Sequence, residues 1–214
     1  MSTSPIRIII IDTNCFLKLY QSSVRPLMGQ DIGGYRLLTL EKLVAEFKNN
    51  KNLVSNYPSI ASGPKHDELT NSAIKLSGIN KKRIKNVLKE LAPYAKSFLE
   101  LYCKKQNTEI IRRLSTPDLE LLATTIIVKG IMATDEWPLR LVATDLMEDP
   151  EEYKIGLLNS LELLHLIQEN GKISPEDRRK TVRSWVLYRE KMLRDWRENY
   201  KRLFGESADS LDDV

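Results

Sequence analysis

Four acidic side chains stand where the ends of helices and strands could bring them together, namely Asp12, Glu46, Asp118 and Asp145. Carboxylates that converge repel one another and raise one another's pKa unless a cation lies between them. Mg²⁺ prefers oxygen ligands and keeps several of its water molecules, which suits reactions at phosphate groups. These four residues therefore indicate a metal-assisted reaction at a phosphate ester.

Each of the four acids also fits an ordinary structural role. Asp12 can cap the helix predicted after it, and Asp118 lies three residues after Ser115, which is the spacing of a capping box. Glu46 can lie on an exposed helix face, and Asp145 can end a turn. No fixed spacing joins the four residues, so a shared site depends on their order along the chain and on the elements that hold them.

The elements around these acids alternate between strands and helices. Residues 8–11 are four consecutive isoleucines, typical of a strand that is buried on both faces of a parallel sheet. Further strands are predicted at residues 35–38, 139–143 and 154–160, and helices at residues 13–23, 40–47, 65–107, 116–129 and 161–170. A helix is also possible at residues 139–145, because periodicity over so few residues does not distinguish it from a strand. A connection is predicted at residues 131–138. The alternation predicts an α/β fold with a mostly parallel central sheet flanked by helices.

The predicted strands give two of the acids a functional position. In a parallel α/β sheet, ligands bind at the carboxyl ends of the strands. Asp12 directly follows the strand at residues 8–11, and Asp145 follows the strand predicted at residues 139–143. Asp118 lies in the first turn of a predicted helix. Side chains at such element ends can converge on one site.

The C-terminal part of the sequence is basic and amphipathic. One long helix is predicted from Pro175 to Phe204, and its apolar seam of large aromatic residues is typical of a packing surface. The predicted organisation is a domain at residues 1–173, a basic helix at 174–205, and a disordered acidic tail at 206–214.

The composition narrows the functional class. The chain has 42% apolar and 29% charged residues, and no apolar run approaches the roughly 20 residues of a membrane helix. Its two cysteines and two histidines exclude a disulfide framework and a structural zinc site. Neither a G-x-x-x-x-G-K-[ST] loop nor a G-x-S-x-G motif is present. We expect a cytoplasmic protein whose net charge of +4 is compatible with RNA binding.

The order of these motifs resembles that of the PIN-domain family, whose members include many metal-dependent nucleases. That family has an apolar strand followed by D-[TS]-[NS], as in residues 8–14, and later a helical Glu, matched by Glu46. A helix then opens with S-x-x-D-x-x-[LIV], matched by residues 115–121, and a strand ends in T-x-D. The resemblance covers residues 6–172 and implies a PIN-like, Rossmann-like fold of three layers.

The resemblance also implies a mechanism and a set of site residues. Water activated by the metal would attack an RNA phosphodiester in line. The acids that would hold one or two Mg²⁺ or Mn²⁺ ions are Asp12, Asp118 and Asp145. Glu46 would bind a metal directly or orient its water. The side chains that would hold the carboxylates in place are Asn14, Ser115 and Thr144.

Two choices of residue stay open at this stage. Glu41 and Glu46 flank the apolar stripe of their helix at similar angles, and Glu46 is preferred because it follows apolar residues, as in the family. The triplet Ala-Thr-Asp occurs twice, ending at Asp135 and at Asp145. Asp145 is preferred because a rigid strand is predicted before it. Asp135, or its neighbour Glu136, is the alternative with the better spacing.

The leading hypothesis is a metal-dependent endoribonuclease similar to the toxins of bacterial toxin–antitoxin modules. Its expected partners are RNA, an antitoxin protein and a second copy of the chain. The basic residues expected to contact RNA phosphates are Lys81, Lys82, Arg83, Arg112 and Arg113. The alternative is a non-catalytic PIN-like module that binds RNA or protein. A phosphatase of the haloacid dehalogenase class needs D-x-D, and Asn14 stands at the third position here.

Overall fold

A computed structural model describes residues 6–108 and 113–211, without the side chains of residues 46–48, 56, 59, 61 and 210. Its strands are β1 (Arg7–Ile11), β2 (Asp31–Ile32), β3 (Tyr35–Leu38), β4 (Ile131–Ala133) and β5 (Gly156–Leu158). They form one sheet in the order β2-β3-β1-β4-β5. Neighbouring strands are parallel except β2 and β3, which are antiparallel. The predicted α/β class with a mostly parallel sheet is confirmed.

Helices cover both faces of this sheet. They are α1 (Thr13–Tyr20), α2 (Glu41–Asn49), α3 (Lys51–Asn56), α4 (Pro58–Ala61), α5 (Pro64–Asn71), α6 (Gly78–Lys105), α7 (Thr116–Val128), α8 (Trp137–Leu146), α9 (Ser160–Glu169), α10 (Pro175–Leu187) and α11 (Trp196–Phe204). Short 3₁₀ turns occur at Arg25–Leu27 and Ala208–Leu211. In the part of the chain that the structure describes, no helix has both the length and the apolar character needed to cross a bilayer.

The side chains of β1 alternate between two cores. Ile9 and Ile11 lie in a core built with α1, α9, α10 and α11, whereas Ile10 lies in a core built with α6, α7 and α8. All three are fully buried, and burial of one such side chain contributes roughly 1.5–3 kcal/mol. β1 is therefore fixed between two helical layers, and the residue that follows it has a rigid support.

The region between α7 and β5 differs from the prediction. The prediction of a connection at residues 131–138 is wrong, because β4 begins there and pairs with both β1 and β5. The prediction of a strand at residues 139–143 is also wrong, because these residues belong to α8. Pro138 lies in the first turn of that helix. The buried side chains of α8, at helical spacing, are Leu139, Val142, Ala143 and Leu146.

A glycine explains how β4 can follow α7 so closely. Lys129 ends α7 in the left-handed conformation, with φ of 52°, and the chain enters β4 after Gly130. A Cβ atom at Gly130 would lie 2.8 Å from the carbonyl oxygen of Ile8. Only a residue without a side chain allows the backbone to approach β1 in this way. A strand can therefore begin directly after the glycine.

The predicted helical region 65–107 contains two helices, α5 and α6. Between them Ala73 forms a parallel bridge with Thr39, at the end of β3. Ser77 then caps α6 by accepting a hydrogen bond from the Asn80 N–H. The bridge at Ala73 and the cap at Ser77 therefore separate the two helices.

The single C-terminal helix predicted at residues 174–205 is two helices, α10 and α11. The break occurs without proline or glycine, because Arg189 adopts a left-handed φ of 54° after the end of α10. Trp185 of α10 and Tyr200 of α11 are both buried in the core that contains Ile9 and Ile11, here called the main core. The prediction of a packing surface is confirmed for most of the aromatic seam, whereas Tyr188 is 74% exposed.

The predicted disordered tail is partly ordered. Glu206 accepts hydrogen bonds from Arg178 at 2.7 Å and from Arg179 at 2.8 Å. Ala208 and Leu211 are buried in the main core. The prediction of disorder is therefore wrong for residues up to Leu211, because two ion pairs and two apolar contacts hold them, and residues 212–214 lie outside the described part.

Candidate active site

Asp12 stands at the carboxyl end of β1, in the middle of the sheet. Its backbone N–H donates to the carbonyl of Ala133 at 3.0 Å, which joins it to β4. Its Oδ1 accepts from the Cys15 N–H at 2.6 Å and so caps α1. Its Oδ2 accepts from the hydroxyl of Thr134. The capping role is confirmed, and the carboxylate is fixed by two elements besides its own strand.

Burial makes this carboxylate electrostatically unusual. Only 6% of Asp12 is exposed, and this burial is the main cause that raises its pKa to about 6, with a smaller contribution from the charge of Asp135. The hydrogen bonds from Thr134 and Cys15 lower this pKa, and the charge of Lys18 lowers it to a smaller extent. Among the described residues, no lysine, arginine or histidine forms an ion pair with Asp12. A nearby cation would stabilise the charged form of this carboxylate and lower its pKa.

A cavity of 310 Å³ opens beside Asp12. Its polar lining comes from separate elements, and the residues concerned are Asp12, Thr13, Asn14, Asn50, Ser115, Asp118 and Glu136. The apolar lining residues are Leu43, Leu53, Pro117 and Leu121. The structure thus brings together two of the predicted metal ligands and two of the residues expected to support them.

Asp118 reaches this cavity from the first turn of α7. It forms the capping box that its spacing from Ser115 predicts, because Oδ2 accepts from the Ser115 N–H at 2.8 Å and from the Ser115 hydroxyl at 2.6 Å. Its own N–H donates to Ser115 Oγ at 3.3 Å. Within the described residues Oδ1 accepts no hydrogen bond. The capping role therefore leaves one carboxylate oxygen for a ligand.

The residues after β4 point in different directions. Thr134 donates to Asp12 and accepts from the Glu136 N–H at 3.0 Å. Asp135 points away from the cavity and is buried against Lys18 and Ser160. Glu136 lines the cavity, and its carboxylate is paired with Lys191. Glu136, one of the two alternatives for the fourth acid, is the one that faces Asp12 and Asp118.

Asp145 is not part of this arrangement. It lies near the end of α8 and accepts a hydrogen bond from the Tyr94 hydroxyl. It lines a different cavity, of 520 Å³, together with residues of α6 and α7. Thr144 is exposed on α8. The preference for Asp145, with Thr144 as its support, assumed a strand at these residues, and the helix removes that assumption.

The helix that carries the predicted glutamate is α2. Glu46 belongs to α2, but its side chain lies outside the described residues. Glu41 lies in the first turn of α2 and pairs with Lys81 at 3.3 Å. Lys42 pairs with Glu120 of α7. No position follows from these contacts for Glu46, so its role stays a prediction.

The acids are suited to Mg²⁺ by chemistry more than by a closed cage. Among the residues and side chains that the structure describes, no group of three or more Asp, Glu, His or Cys could hold one metal ion. Mg²⁺ is usually bound by only one or two protein carboxylates, with water and phosphate oxygens as the other ligands. Asp12 and the free oxygen of Asp118 fit that smaller requirement.

The predicted RNA-binding residues that the structure describes are not among those that line the cavity. Lys81, Lys82 and Arg83 are exposed in the first turns of α6, and Lys81 is engaged by Glu41. Arg113 is exposed shortly before α7, whereas Arg112 lies outside the described residues. A role in holding RNA phosphates stays a prediction for all five.

A buried lysine, Lys18, was not among the residues predicted from the sequence. Lys18 is only 2% exposed, and its ammonium group donates to Asp135, to Ser160 Oγ at 3.2 Å and to the carbonyl of Lys191 at 2.7 Å. Its signal was available, because Lys18 interrupts the apolar run of α1. This contact joins α1, the end of β4, α9 and the connection between α10 and α11.

Comparison with known proteins adds no relative. No family model, no curated protein and no solved structure matches the chain. The functional argument therefore depends on the geometry of the site and on the motifs in the sequence.

Proposed function

We propose that the protein is an endoribonuclease that depends on Mg²⁺ or Mn²⁺. The observation that carries this proposal is Asp12, a buried carboxylate at the carboxyl end of the central strand that forms no direct ion pair among the described residues. It shares one cavity with Asp118 and Glu136. A divalent cation is the partner that such a group lacks.

The residues of the cavity divide into ligands and supports. Asp12 and Asp118 would hold the ion, and Glu136 would join them when it leaves Lys191. Thr134 and Ser115 fix the two aspartates by hydrogen bonds. The ion, when bound, would supply the Lewis acidity that polarises a phosphodiester and activates water.

The reaction needs one P–O bond to form and one to break. Oxygen from water bonds to phosphorus, the bond from phosphorus to one ribose oxygen breaks, and that oxygen takes a proton. Asn14 lines the cavity and can orient the phosphate through its amide. Lys191 carries the positive charge nearest to Glu136 and can receive a phosphate oxygen in place of that carboxylate.

A second function has its own support. In the described residues, three acids do not converge on one point, and Glu136 is neutralised by Lys191. These observations favour a non-catalytic module that binds RNA or protein through the same face. The antitoxin partner and the homodimer stay predictions of the resemblance to the PIN-domain family.

The test is cleavage of labelled single-stranded RNA and tRNA with Mg²⁺, Mn²⁺ or EDTA. Under the nuclease proposal, cleavage requires the metal and falls at least about 100-fold in Asp12→Asn. Asp145→Asn is the matched control, since it makes the same chemical change in the other cavity, and it should cleave like the wild type.

Calorimetry with Mn²⁺ separates the two functions. A nuclease binds the ion through Asp12, so the titration heat should disappear in Asp12→Asn and persist in Asp145→Asn. RNA binding without cleavage and without metal binding would overturn the nuclease proposal in favour of the binding module.

A further inference from the structure

A groove of 830 Å³ lies beside the candidate active site. One wall is the C-terminal end of α6, with Tyr102, Cys103 and Gln106. The opposite wall is the connection between α10 and α11, at residues 191–195. Trp137 lies between the two walls, at the start of α8.

The groove is joined to the acid cavity by two neighbouring contacts. Glu136 lines the acid cavity, and the next residue, Trp137, lines the groove. Lys191 lines the groove and pairs with Glu136. The cavity beside Asp12 and the groove therefore meet at Glu136 and Trp137, and a polymer bound in the groove would pass beside the acids.

Trp137 presents an aromatic surface to this groove. It is 39% exposed, although most large apolar side chains of the molecule are buried. The ring of Tyr102 meets it edge-on, with 5.5 Å between the ring centroids. A supported and partly exposed indole is the type of platform on which unpaired nucleobases stack.

The charges around the groove favour an anionic polymer. Lys191 and Arg194 line it and are exposed, and Lys191 is paired with Glu136. Lys104 and Lys105 do not line it but are exposed nearby in the last turn of α6. Two carboxylates also line the groove. Asp195 is exposed, whereas Asp135 is buried and paired with Lys18. The exposed cations therefore outnumber the exposed acid.

We infer that this groove binds single-stranded RNA, with one unpaired base stacked on Trp137 and the adjoining phosphates near Lys191 and Arg194. The inference rests on the proposed function for the choice of RNA as the ligand. Stacking needs a base that is not engaged in a duplex, so the groove would select single-stranded regions and loops. It would also place the strand beside Glu136 and Asp12.

The experiment measures binding without cleavage. A fluorescein-labelled oligouridylate of twelve nucleotides is titrated with the full chain in EDTA at low salt, and the anisotropy is recorded. Trp137→Ala should weaken binding about 5- to 160-fold, which is the range for loss of one stacked base. Trp137→Phe keeps an aromatic ring and should retain most of the affinity.

The matched control is Ile79→Ala. Ile79 is 69% exposed at the other end of α6, about 35 Å from Tyr102 at 1.5 Å per residue. It should bind the oligonucleotide like the wild type. Circular dichroism of the variants reports on folding, and Trp137→Phe tests the stack even where Trp137→Ala unfolds.

The outcomes separate the inference from the proposed function. Unchanged binding in Trp137→Ala, or equal binding of a duplex of the same length, would overturn the groove even if RNA is cleaved elsewhere. Binding that depends on Trp137, in a protein that never cleaves RNA with Mg²⁺ or Mn²⁺, would keep the groove and reject the nuclease. A groove that holds a peptide instead would leave RNA binding insensitive to Trp137.

Discussion

The triplet Ala-Thr-Asp occurs at residues 133–135 and again at residues 143–145, and the two copies have different structures. The first copy ends β4 and continues into the loop that faces Asp12. The second copy lies on α8. In the first copy all three residues are buried, whereas in the second only the alanine is. The same three residues thus support the candidate site in one place and the surface in the other.

The two copies differ because only the first follows a strand of the central sheet. Thr134 and Asp135 follow a strand that lies between β1 and β5, so their side chains meet Asp12 and Lys18. Thr144 and Asp145 lie on the outer side of a helix that buries its opposite stripe. Four substitutions test this contrast.

The largest effect is expected for Asp135→Asn. It leaves the ammonium group of Lys18 buried without its charge partner, so the free energy of unfolding should fall by about 3–5 kcal/mol. Asp145→Asn should change it by less than about 0.5 kcal/mol, because that carboxylate is partly exposed. Urea unfolding measures both variants. Equal losses in the two would remove the contrast between the triplets.

The next effect concerns Asp12, which the first triplet contacts through Thr134. Burial raises the pKa of Asp12 from 3.8 to about 6, so between about pH 4 and 6 the folded state binds more protons than the unfolded state. The free energy of unfolding should therefore fall as the pH rises through this range, by up to about 3 kcal/mol without metal.

Asp12→Asn should lack this pH dependence and be more stable than the wild type at pH 7.5 in EDTA. Thermal unfolding at several pH values, with Asp145→Asn as the control, measures the difference. Added Mn²⁺ should stabilise the wild type and Asp145→Asn but not Asp12→Asn. A wild type whose stability follows that of Asp12→Asn at every pH would show that the buried charge has no such cost.

A smaller effect is expected for Thr134→Val. The change keeps the shape of the side chain but removes the hydroxyl that donates to Asp12, so the free energy of unfolding should fall by about 1.5–3 kcal/mol at pH 7.5. Thr144→Val is exposed and should be neutral within about 0.5 kcal/mol. Urea unfolding again gives both values, and a neutral Thr134→Val would argue against the hydrogen bond.

The smallest effect is expected in catalysis rather than stability. Glu136→Gln should lower metal-dependent RNA cleavage about 10- to 100-fold, because the amide is a weaker partner for the ion. Asp145→Asn should cleave at the wild-type rate. Initial rates at saturating Mg²⁺ compare the two. Loss of activity in Asp145→Asn, with Glu136→Gln active, would return Asp145 to the site.

Much of the structure at the carboxyl end of the sheet could be predicted, because the sequence signals for it are local. Four isoleucines before Asp12 mark β1, and the Ser115–Asp118 spacing marks the start of α7. β4 could not be found in this way, because three residues carry no periodicity. The reason for Gly130 before β4 is visible only in the structure, where the backbone closely approaches β1. The break at Arg189 likewise has no local signal and depends on the packing of two helices on one core.

The contact between Lys18 and the carbonyl of Lys191 has a consequence for synthesis of the protein. The two residues are 173 positions apart, so this hydrogen bond cannot form until residue 191 has been synthesised. At about 5–20 residues per second, this delay is about 9–35 s. Asp135, the charge partner of Lys18, is 117 positions away, so the ion pair can form only about 6–23 s after Lys18 has been synthesised. The carboxyl end of the sheet, which carries the acids, is therefore complete only when α10 and the connection after it have been synthesised.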